Sequence, residues 1–182
     1  LSELAKLVEE GKIRHVGLSN ETAWGTMQWL NIAQANGFPR MISMQNEYSL
    51  LHRIYDTDMA ELSHHEEVGL LSYSSLACGL LTGKYEGGQI PEGSRRSINA
   101  GLGGRVTPRL QAPLTGYLNI AKKHGLDPTQ MALSWCLTRP FMASIIIGAT
   151  KMDQLKTCID AAKLDLSDEV LAEIEDVYRY YP

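Results

Sequence analysis

The sequence is poor in cysteine. Cys78, Cys136 and Cys158 are odd in number and widely spaced. They match neither a disulfide framework nor a zinc site, and no metal site is expected from them. Reduced thiols in a cytoplasmic protein are the plain reading. Basic charge is not in excess either. Lys and Arg number 17 against 21 Asp and Glu, a net charge of −4. A nucleic-acid footprint needs a basic stripe, and none is present. No apolar run approaches the ~20 residues of a membrane-spanning helix, and no signal peptide is visible. An initiator methionine is also missing. The chain opens at Leu1 on "LSELAKLVEEGK", which reads as the middle of a protein.

What is there is ordinary globular material. The 182 residues are 44% hydrophobic and 21% charged, enough for one domain with a real core. Leu1, Leu4, Ala5 and Val8 fall at helical spacing, and Gly11 is placed to end that helix. "KIRHVGLS" is β-prone. "NETAWGTMQWLNIAQANG" reads as a helix capped by Asn20, with Trp24, Met27, Leu30 and Ala33 on one face and Gly37 at its end. "MISMQNEYS" is a second strand. "DTDMAELSHHEEVG" is a helix capped by Asp56, and "GLLSYS" is a third strand. Two helices follow a long loop. The second starts at Asp127 and Pro128, with Gln130 completing a capping box. "MASIIIGAT" is the fourth strand, and two helices finish the chain.

The expected strands are 13–18, 41–46, 69–74 and 144–148, parallel and adjacent in that order. The first two intervals are 28 residues each, near the roughly 30 per unit of a (β/α)8 barrel. The runs are apolar rather than alternating, as when both faces are covered. The fold class is α/β, with parallel strands and right-handed helical crossovers. Four strands cannot close an eight-stranded barrel, so half a barrel or a small open sheet is expected. Residues 86–112 are Gly-rich and carry Arg95, Arg96, Arg105 and Arg109. They read as a mobile loop within a single partial domain spanning 1–182.

Chemistry in parallel α/β folds gathers at the carboxyl ends of strands. Here those ends are "LSN" (18–20), "QNEYS" (45–49), "YSSLACG" (73–79) and "IGAT" (147–150). All read as polar, uncharged or small, which suits an amide, a flat ring or a phosphate rather than a metal. "SIIIGATKMDQL" runs from strand through a glycine turn to a helix N-terminus, an anion-favouring arrangement to which Lys151 adds charge. Taken alone, Gly148 can be only a turn and Thr150 only a cap. Asn20 can be only an N-cap, and Tyr73 a core aromatic. Recurrence at successive strand ends carries the weight.

The stretches "GKIRHVGLSNETAW", "MQNEYSLLHR", "GLLSYSSLACGLLTGKY" and "IIIGATKMDQLKTCI" together resemble the C-terminal half of an aldo-keto reductase, of the bacterial branch with the "GLLTGKY" run. The resemblance covers the whole chain, in order. It implies a (β/α)8 barrel of which this chain forms strands five to eight, with NADPH extended across the strand ends. By matched position, Ser19, Asn20 and Gln45 hold the nicotinamide carboxamide and Tyr73 stacks on its ring. Ser74, Leu76, Gly79, Leu80 and Lys84 follow the pyrophosphate. Gly148, Ala149 and Thr150 line the adenosine end, with Lys151 near the 2′-phosphate and Gln154 near the adenine. Two positions depart from the family. Ser75 replaces a usual proline, and Cys158 stands where an asparagine usually meets the adenine edge.

The family's catalytic tyrosine, lysine, aspartate and histidine all lie on its first four strands. No tyrosine here matches, and no catalytic residue is assigned. "SHHEE" places His64 and His65 on a solvated helix end. The resemblance therefore implies the cofactor-binding half of an enzyme that reduces aldehydes or ketones by hydride transfer, inactive by itself. Three readings stand. The chain is a piece of a longer NADPH-dependent carbonyl reductase, completed by an N-terminal half and taking a small carbonyl substrate. Or it is a non-catalytic half-barrel that binds nucleotide or a partner. Or it is a homodimer imitating a whole barrel, since half-barrels expose two sheet edges and an inner face. None involves nucleic acid or membrane.

Overall fold

A computed structural model describes residues 1–182. Helix α1 (Ser2–Glu9) precedes β1 (Val16–Ser19), α2 (Ala23–Asn36), β2 (Met41–Glu47), α3 (Met59–Glu66) and β3 (Gly69–Tyr73). The long connection then holds the short α4 (Arg95–Ile98) and leads into α5 (Gln111–Lys123) and α6 (Pro128–Leu137). β4 (Met142–Ile145), α7 (Met152–Asp160) and α8 (Asp168–Tyr180) follow. The strands form one sheet in the order β1-β2-β3-β4, every pair parallel. The order and direction expected from the sequence hold. The α/β fold with four parallel strands is consistent with half of a (β/α)8 barrel. No helix is long and apolar enough to cross a membrane.

Boundaries differ in instructive ways. β1 begins at Val16, because the polar "RH" before it lies outside the ladder. β4 ends at Ile145 rather than 148. The Ile146 amide still reaches the Ser72 carbonyl at 2.8 Å, after which the chain leaves the sheet. Asn20 does not cap α2. It takes φ 57°, and Thr22 caps instead, its Oγ1 accepting from the Gly25 amide at 3.0 Å. Of the face expected to be buried, Leu30 and Ala33 are buried and Met27 is half-buried, joined by Gly25 and Thr26, while Trp24 in the first turn is 75% exposed. Gly37 closes α2 at φ 64°, a left-handed value that glycine tolerates.

Asp56 is likewise no helix cap. It sits in a single turn at Ile54–Asp56, and its carboxylate accepts from the Tyr48 hydroxyl at 2.7 Å. Asp127 does cap α6, accepting from the Gln130 amide at 3.0 Å. The Gln130 side chain does not return the bond as a capping box would. It donates to the Thr157 carbonyl on α7.

Burial is one-sided. Along β3 residues alternate between half-buried and buried, with Leu70 and Ser72 inward. Met41, Met44, Val68, Leu70, Trp135 and Ile174 belong to one core that joins sheet and helices. The strands are therefore not equally covered on both faces as their apolar runs suggested. On the less covered face small residues meet. A Cβ on Gly17 would fall 2.3 Å from Ser43 Oγ, and one on Gly69 2.7 Å from the Ala143 Cβ.

Candidate cofactor site at the strand ends

Parallel pairing in sequence order brings the four carboxyl ends to one rim. Ser19 stands opposite Gln45, Glu47 opposite Tyr73, and Ser72 opposite Ile145. At this rim Asn20 is held from four directions. Its backbone amide donates to the Gln45 carbonyl at 3.1 Å and to Asn46 Oδ1 at 2.7 Å. Its Nδ2 donates to Ser19 Oγ at 3.1 Å, and its Oδ1 accepts from the Tyr73 hydroxyl at 2.7 Å. Ser19 Oγ in turn donates to the Gln45 carbonyl at 3.1 Å. The left-handed backbone of Asn20, which asparagine tolerates better than most residues, turns its side chain back over the rim. Ser19, Asn20 and Tyr73 thus form one hydrogen-bonded set. Gln45 joins it through its backbone only, and its side chain is exposed.

After Tyr73 the chain turns sharply. Ser74 (φ 54°), Ala77 (φ 47°), Cys78 (φ 57°) and Gly79 (φ 93°) all lie in the left-handed region. A cluster of such costly conformations usually marks a functional loop. Ser72 and Ser75 share a buried hydroxyl contact of 2.9 Å that ties the loop to β3. Leu80 is 2% exposed and belongs to the core. Leu76 is half-buried against the same core. Lys84 is exposed. Its stem folds over Gly79, where a Cβ would meet the lysine terminus at 2.7 Å, and its ammonium lies 5.1 Å from the Tyr85 ring centre.

At β4 the sequence-assigned residues form a second group. Gly148, Ala149, Thr150 and Lys151 are exposed, and Gly148 has open space where a side chain would stand. Gln154 Oε1 accepts from the Thr150 amide at 3.1 Å, so its carbonyl is engaged with the turn before α7. Cys158 is half-buried on α7, and burial holds its thiol above the usual range. The first and second groups connect through the β3–β4 ladder, without direct side-chain bonds.

The sequence-assigned site left out Asn46 and Glu47, although both stand in the strand-end run "QNEYS", and Arg105 was read only as one arginine of the loop. Glu47 accepts from Arg105 Nε at 2.8 Å and from Nη2 at 2.6 Å, a two-pronged pair that docks the long segment onto the rim. Leu102 of that segment is buried. Arg95 lies beside the rim loop, its guanidinium 3.7 Å from Cys78 Sγ. Residues 86–112 are therefore fastened to the rim and core at these points. Glu47 was the one readable signal, a carboxylate at a strand end otherwise free of charge.

The profile of the Aldo/keto reductase family matches residues 1–179. The chain belongs to the aldo/keto reductase family. Protein tas of Escherichia coli (strain K12) is 46% identical over 181 residues, covering all of this chain and 52% of that protein. An aldo-keto reductase of Babesia bovis is 36% identical, covering 98% of this chain and 65% of that protein. L-glyceraldehyde 3-phosphate reductase of Escherichia coli (strain K12) is 34% identical, covering 96% and 52%. The chain spans about half the length of the first of these curated relatives.

Proposed function

We propose that this chain is the cofactor-binding half of an NADPH-dependent aldo-keto reductase, with its strands in places five to eight of the barrel. The observation that carries the reading is the rim set built around Asn20. It offers uncharged donors and acceptors beside a flat ring, which suits a carboxamide and the heterocycle that bears it. The remaining residues fit the rest of such a cofactor. Lys84 and Lys151 are exposed cations along the same rim, and Gly148 leaves room for close approach. Bound NADPH supplies the hydride. This chain's residues bind and orient it. Ser19, Asn20 and the Gln45 backbone fix the carboxamide end, Tyr73 supports the ring, and Lys151 meets the charge of the 2′-phosphate. No general acid is assigned here, so the proton that completes carbonyl reduction comes from residues outside this chain.

The test is a fluorescence titration of NADPH and NADH, paired with an assay of aldehyde reduction. Saturable NADPH binding without turnover is expected. Turnover above blank that is lost on mutating a residue of this chain overturns the division of labour. An absence of NADPH binding by a folded chain overturns the cofactor assignment.

A second reading has its own support. Ile42, Ile146 and Ile147 are 45%, 44% and 37% exposed. These apolar residues in and just past the strands favour cover by another polypeptide, either an N-terminal half or a second copy of this chain. The mass of the purified species in solution separates the two.

A further inference from the structure

His124, Glu169 and Glu173 form a cluster that cofactor binding does not use. His124 follows α5, while Glu169 and Glu173 stand one turn apart near the start of α8. One ligand atom from each lies within 4.8 Å of the others. His124 Nε2 is 3.2 Å from Glu173 Oε2. Zinc bonds of about 2.0–2.2 Å to nitrogen and oxygen set a tetrahedral ligand–ligand edge of about 3.3 Å, so this pair already has the required spacing. Both carboxylates also converge on one cation. The Lys123 ammonium lies 3.2 Å from Glu169 and 2.5 Å from Glu173. A surface ion pair explains the lysine contacts. The imidazole, only 17% exposed, makes its own hydrogen bond to the second oxygen of the same carboxylate, so three ligand-type groups already converge at one place.

We propose that His124, Glu169 and Glu173 bind a divalent cation of the zinc class. The Lys123 ammonium, on a side chain 57% exposed, holds the place and swings out when the ion enters. One neutral nitrogen and two carboxylate oxygens suit zinc better than calcium or magnesium, which prefer all-oxygen shells. Water completes the tetrahedron. The ion clamps the end of α5 to the start of α8, joining residues 49 positions apart. That separation hid the set from any reading of local spacing.

The test is calorimetric titration of the full chain, stripped of metal, with zinc chloride and separately with magnesium chloride. The variants are Lys123→Met, His124→Ala and Glu173→Gln, each checked for native circular dichroism. We expect one zinc site in the parent, and a weakening of at least about tenfold in His124→Ala and in Glu173→Gln. Lys123→Met should bind about tenfold more tightly, because a competing positive charge is gone. Magnesium should show no matching site. Zinc affinity unchanged by His124→Ala and Glu173→Gln overturns the proposal, even if zinc binds elsewhere. So does a Lys123→Met variant that binds no better than the parent.

Discussion

Arg105 reaches back from the long segment after β3 and grips Glu47 at the end of β2 through two hydrogen bonds, 2.8 and 2.6 Å long. Both side chains are mostly shielded, at 25% and 18% exposure. The pair is the charged fastening between the rim and residues 86–112.

Arg105→Ala should therefore free that segment while leaving the sheet intact. Hydrogen exchange should rise across about residues 95–106 and stay low in β2 and β3. The global stability loss should be small, about 1 kcal/mol, because the pair is partly solvated. Exchange that rises equally through the strands would show that the pair supports the core instead.

Tyr73→Phe and Tyr73→Ala separate the two jobs of one side chain. Phe keeps the ring and loses the bond to Asn20 Oδ1. If the ring supports the nicotinamide, Phe should bind NADPH within about threefold of the parent, while Ala should lose about tenfold or more. Equal losses would place the contribution in the hydroxyl.

Arg53 is a different kind of cation. Its side chain is 1% exposed, lies 4.2 Å from the ring centres of both Trp135 and Tyr178, and donates twice to Glu175. Arg53→Ala removes the packing and the pair together. A loss of about 3 kcal/mol in urea denaturation is expected. A loss below about 1 kcal/mol would mean that the sandwich contributes little.

Asp56 gives a pH signature. Burial raises its carboxyl above the usual range, against the opposing pull of the Tyr48 hydroxyl and the Arg139 and Arg53 charges. A raised folded-state value means that the fold favours the protonated acid. Near neutral pH the ionised group therefore costs stability, and that cost is relieved as pH falls through the raised value. Asp56→Asn keeps an acceptor for Tyr48 and should match or exceed the parent's stability at neutral pH. The difference should shrink on acidification. A gap that widens toward acid would reverse the sign of the argument.

Thiol reactivity should rank the three cysteines. Desolvation pushes Cys136 up to about 12, and it is fully buried. An aromatic disulfide reagent should label Cys78 and Cys158 in the native chain and reach Cys136 only after denaturation. Labelling of Cys136 at native rates would show that the α6 core opens readily.

Much of this fold is legible in sequence because its crossovers are regular. β2 and β3 are apolar runs that end in polar residues, and both lie where those runs predict. β4 was harder. Ile147 is as apolar as any strand residue yet lies past the ladder, whose last bond comes from the Ile146 amide. Trp24 misled in the same way, since its hydrophobicity placed it with Met27, Leu30 and Ala33, yet in the first turn of α2 it stands 75% exposed. At the rim, Gln45 and Asn46 look alike on the page. Successive strand residues point to opposite sides, and only the structure shows that the Asn46 side chain is the one bonded to Asn20. The Glu47–Arg105 pair spans 58 positions and leaves no local trace.

The contact between Arg53 and Glu175 bears on how the chain is made. The partners are 122 positions apart. During synthesis Arg53 emerges long before Glu175 and Tyr178 exist. The stretch between β2 and α3 must stay hydrated until α8 arrives, since a guanidinium cannot enter the interior unpaired. Release of the last helix from the ribosome is then the event that lets this connection close. Ribosome-bound chains whose emerged part stops before residue 175 should keep the 48–58 stretch open to protease, and chains extended until residue 180 has left the exit tunnel should close it.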